Sequence, residues 1–128
     1  MNLLAILVAG LAAVVISTAY YMAFARQMST LHPAYADPNA KPGAGRVVAE
    51  ILRSLILAAV VAMLANGLHA ANFADAAGLA LILWVGFPLV LWTGACVWER
   101  VSPKLAAIHA GDWLLKLLVV TSIVSLWR

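Results

Sequence analysis

The sequence predicts an all-α fold, an integral membrane four-helix bundle, and three observations carry that reading. Apolar residues make up 66% of the chain and charged residues only 10%, where a soluble domain is nearer half apolar and a quarter charged. The mean hydropathy is +1.01. The apolar residues form long continuous runs rich in Leu and Ala, a pattern of helices and not of strands. A water-soluble core of 128 residues could not enclose this much apolar surface. The lipid bilayer is therefore the expected solvent and the first expected partner.

A helix needs about 20 mostly apolar residues to cross a bilayer. Residues 3–24, 47–68, 76–98 and 105–127 each reach that length, and together they make residues 1–128 a single transmembrane domain. The first span is uncharged. Its end, Ala23-Phe24-Ala25, has the small-x-small form of a signal-peptide cleavage site. No Lys or Arg precedes the run, however, and the run exceeds a usual signal core, so a retained span is expected. The second span carries Glu50 and Arg53 near its start. The third is uncharged and holds Pro88 mid-span in "WVGFPLVLW". A proline there removes a backbone donor and kinks the helix; the alternative is an unwound binding site of the transporter kind. Trp84 and Trp92 lie deep enough in this span to line a pocket, while Trp98, like Trp113 and Trp127, suits an interface or a packed helix contact. The fourth span begins after Ser102-Pro103, with Ser at the N-cap and Pro at the first helical position, and it contains Asp112 and Lys116. Small residues at Ala58 and Ala62, and at Gly86 and Gly94, allow close helix approach. That suits an internal bundle and a homo-oligomer equally.

The connections set the orientation. Residues 26–45, with Pro33, Pro38 and Pro42, read as an irregular loop or a short interfacial segment. This loop carries Arg26 and Lys41, with Arg46 just beyond it. The connection before the fourth span carries Arg100 and Lys104, and the one between the second and third spans carries no Lys or Arg. Basic short loops stay in the cytoplasm. Both termini are then expected on the outer, periplasmic side.

This topology brings charges together. Glu50 and Arg53 lie about 5–10 Å above the inner end of their span, and Asp112 and Lys116 about 10–17 Å above theirs, at 1.5 Å per residue. At about 100° per residue, His109, Asp112, Trp113 and Lys116 share one helix face, as do Arg46, Glu50 and Arg53. Lipid solvates neither face, so the two are expected to turn toward each other. The expected pairs are Arg53 with Asp112 and Glu50 with Lys116, and Tyr20 and Tyr21 add hydroxyls at the same level. Pairing inside each helix is the simpler alternative, and Lys116 can also snorkel to an interface. Ionisable groups inside a membrane are candidate functional sites, but they also pin helices in register.

Other chemistries find little support. The single cysteine, Cys96, excludes an intrachain disulfide framework. His32, His69 and His109 lack Cys or His neighbours at metal-ligand spacing, so neither a metal nor another cofactor is expected. There is no Gly-rich phosphate loop and no nucleophile elbow, so the chain is not expected to be an enzyme. The net charge of +3 comes from scattered basic residues without a stripe, which argues against nucleic acid.

The stretch "WVGFP", then "WERVSPKLAAIHAGDWLLKLLV", then a closing "LW", resembles the membrane family known as domain of unknown function 1761. The opening "MNLLAILVAGLAAVVISTAYYMAF" fits that family's first span. The family's opening span ends in a Trp-Tyr-Ser-Pro type stretch, where this chain has Ala19-Tyr20-Tyr21-Met22. The resemblance implies a four-span, multi-pass protein of the bacterial inner (cytoplasmic) membrane and no particular reaction. Two functional expectations follow. One is a structural or accessory component, acting as a homo-oligomer or within a larger membrane complex. The other is a small transporter or ligand-binding protein that uses Glu50, Arg53, Asp112 and Lys116.

Overall fold

The computed structural model describes the whole chain, Met1–Arg128. Helix α1 spans Leu3–Ala23, and the Asn2 side chain caps it by accepting from the amides of Leu4 and Ala5. A short helix α2, Ala25–Ser29, follows, and a 3-10 turn covers Pro33–Tyr35. The first connection is thus less irregular than the prolines suggest. Helix α3 spans Ala44–Gly67. Its end is a Schellman cap: His69 takes a left-handed φ of 56° and the Ala70 amide donates to the Ala65 carbonyl.

The third span is one continuous helical rod in three parts. Helix α4, Phe73–Trp84, starts at Asn72, whose side chain accepts from the Asp75 amide while its own amide donates to the Asp75 carboxylate. Residues Val85–Leu89 form a π-helical turn around Pro88, and helix α5, Val90–Trp98, continues it. The wider turn makes room for the Pro88 ring, which has no amide to donate. The structure therefore answers the proline with a widened turn and no unwound segment. Helix α6 spans Pro103–Leu126. Pro103 occupies its first turn as expected, but the Ser102 side chain makes no capping bond.

All four rods are long and apolar enough to cross a membrane. They are not equally central. Helix α6 packs against α1, α3 and α4, whereas the third span packs chiefly on α6. Half of the most apolar window of α6 is buried, against 11% for the third span. The interior is built from small side chains that bring backbones close. Ala9, Ala13, Ala58, Ala80 and Val120 are fully enclosed. Gly86 and Gly94 do not belong to this set. A Cβ at either would meet nothing within 4 Å, so the close approach expected of them does not occur within the chain. At one end of the bundle, Arg128 donates to the carbonyls of Ala65 and Ala70, tying the last residue to the α3–α4 turn.

Candidate functional site

The polar layer is assembled around α6. Leu and Ala residues give this helix its length, and at one-turn spacing it presents His109, Asp112 and Lys116, all buried. Asp112 is only 1% exposed. Its carboxylate receives the Ser17 hydroxyl of α1 at 2.7 Å on one oxygen and the Lys116 ammonium at 3.1 Å on the other. The ammonium also sits 4.0 Å above the centre of the Trp113 ring. A lysine on a helix leans toward the helix start, so Lys116 meets Asp112 one turn back before it can reach another helix.

The cross-helix pairs expected from the sequence do not form. Arg53 pairs with Glu50 on its own helix at 2.7 Å, as Lys116 pairs with Asp112 on its own. Both pairs are local because partners one turn apart need no second helix to be positioned. Glu50 and Arg53 also face outward more than expected, with the Arg53 side chain 65% exposed. The wall opposite α6 is instead α1. The structure brings together His109, Asp112, Trp113 and Lys116 with Tyr20 and Tyr21, and leaves Glu50 and Arg53 at the rim of a neighbouring groove.

One turn toward the start of α6, the layer becomes aromatic. The Tyr21 hydroxyl and His109 Nδ1 share a hydrogen bond of 2.7 Å. Trp92 stacks on the His109 imidazole at 4.3 Å with ring planes 10° apart. Tyr35, from the first connection, lies 6.1 Å from the same ring, tilted by 50°. Tyr20 packs over Gly111, where any Cβ would collide with its hydroxyl. Trp84 donates its indole N–H to the Ala110 carbonyl at 2.8 Å. The Trp92 indole N–H is buried without a partner. Trp84 and Trp92 thus fasten the third span to α6. Pro88 is buried beside them but makes no polar contact.

Ser17 joins this layer without having been expected from the sequence. Its signal was helical spacing. Ser17, Tyr20 and Tyr21 lie at i, i+3 and i+4 and so share one face of α1. Chemically, the arrangement is a neutral, internally satisfied ion pair with an aromatic cap. It can hold α1 and α6 in one register and keep a carboxylate stable away from water.

The chain belongs to the family described as protein of unknown function DUF1761, whose model matches residues 4–125. No curated protein and no solved structure matches it.

Proposed function

Taking membership of a family without an assigned activity as the premise, we propose that this multi-pass membrane protein is a structural or accessory component of the bacterial inner membrane. It works in an oligomer or a larger membrane complex, and its buried charges fasten spans together. The observation that carries this reading is the closure of Asp112. Both carboxylate oxygens are engaged, one by Ser17 and one by Lys116, at 1% exposure. A solute-binding carboxylate in a transporter needs a free oxygen and a wetted approach. The basic residues support cytoplasmic connections before α3 and before α6, with both termini outside. This reading assigns the chain no reaction and no cofactor.

Water access to Asp112 tests it. A water-soluble carbodiimide, applied to the protein in open membrane fragments and mapped by peptide mass spectrometry, is expected to modify Glu99 and Glu50 and spare Asp112. Modification of Asp112 to the same extent as Glu99 contradicts the reading and favours a hydrated transport route.

A further inference from the structure

We propose that the groove between α3 and α6 seats one ethanolamine phospholipid, with its headgroup on Arg46, Glu50 and Arg53 and an acyl chain along Ile56 and Val60. The groove has a volume of about 360 Å³, and its walls include Glu50, Arg53, Ile56, Val60, Trp113 and Lys116. Ile56 is 65% exposed and Val60 50% exposed, so this wall opens sideways, toward the bilayer.

Its polarity is graded as a lipid's is. The charges Arg46, Glu50 and Arg53 follow one another at i, i+4 and i+7 on the loop-proximal part of α3, and apolar residues replace them beyond. Arg53 reaches back one turn to Glu50, which carries the pair toward the start of the helix. At 1.5 Å per residue, Glu50 stands about 9 Å above that start, within reach of a headgroup drawn slightly inward. Lipid tails cannot solvate an exposed ion pair, whereas a phosphate and an ammonium can. Lys116 and Trp113 close the groove on the α6 side. Lys116 reaches back to Asp112, which lies as far into α6 as Arg53 lies into α3.

The order of charges selects the headgroup. A cation–anion–cation stripe is complementary to a phosphate joined to a primary ammonium. The phosphate meets Arg53, and the ammonium, one turn nearer the helix start, donates to Glu50. A glycerol headgroup offers Glu50 no cation. A choline offers it no hydrogen-bond donor. This seat shares Trp113 and Lys116 with the Asp112 cluster as its α6 wall, but its headgroup contacts lie on α3 and stand whether or not that cluster is structural.

Native mass spectrometry of the full chain, reconstituted with equal amounts of phosphatidylethanolamine, phosphatidylglycerol and phosphatidylcholine, tests the proposal. The wild-type chain is expected to retain one phosphatidylethanolamine, favoured roughly tenfold over the other two by one charge-assisted hydrogen bond. Glu50→Gln removes the anion and should turn the preference to phosphatidylglycerol. Val60→Trp fills the apolar end and should lose all three lipids with the charges intact. Melting curves in detergent establish that both variants fold. Four outcomes overturn the proposal: no retained lipid, a wild-type preference for phosphatidylglycerol, retention unchanged in both variants (loosely associated bulk lipid only), or a lipid-free dimer that Arg53→Gln dissociates.

Discussion

Asp112 and its two partners set the residue-scale behaviour of the protein. Replacing Ser17 with Ala leaves one carboxylate oxygen buried without a donor, which costs about 1–3 kcal/mol. Tyr21→Phe removes the bond to His109 but leaves the ring packed, and its cost is about 1 kcal/mol. Denaturation in a graded detergent mixture should therefore rank Ser17→Ala at or below Tyr21→Phe in stability, with both below wild type. A wild-type midpoint for Ser17→Ala would mean that the Asp112 contact contributes nothing. Most of this layer was legible in the sequence. His109, Asp112, Trp113 and Lys116 share a helical face that counting alone reveals. Their partners were not, because a charge in lipid demands a partner without saying which. Local pairing won because a lysine leans back along its own helix. Ser17 escaped notice because a hydroxyl in a span costs little and so stands out little.

Glycine positions show at the element scale which faces are in contact. A Cβ at Gly10 of α1 would lie 2.7 Å from Leu55 Cδ2 and 3.2 Å from the Leu55 Cα. The side chain can move aside but the α3 backbone cannot do so freely, so Gly10→Ala should cost about 1–3 kcal/mol through overpacking. Gly94 meets nothing within 4 Å, and Gly94→Ala should gain up to about 1 kcal/mol in helix propensity. Opposite shifts in the two melting midpoints are the expected result; equal shifts would contradict the α1–α3 packing described above. The sequence marks Gly86 and Gly94 as contact residues as readily as it marks Ala58 and Ala62. Only packing separates them: Ala58 is sealed between helices, whereas the third span lies on the outside of α6. Pro88 shows the same limit. Its missing amide is written in the sequence, but a widened turn and a broken helix both answer it, and the neighbouring helices decide between them.

The whole molecule is a bundle organised by its last helix. α6 carries the buried charges and gathers the other spans, and Arg128, two residues past its end, closes on the α3–α4 turn. Four apolar runs were enough to read the number of rods, because lipid forces long continuous helices. Their arrangement was not readable, since an apolar face packed on a helix and one facing lipid have the same composition. Both ion pairs are local and formally neutral, so no helix need carry net charge into the bilayer to satisfy another. The central claim is that Asp112 and Lys116 form a structural pair within α6. The most direct measurement is a double-mutant cycle on unfolding free energy with Asp112→Asn, Lys116→Met and the two combined. Breaking a buried pair costs about 3–5 kcal/mol, and removing both charges is far milder. Each single variant should therefore lose stability and the double variant should recover most of it. Additive losses, with no recovery in the double variant, would contradict the pair.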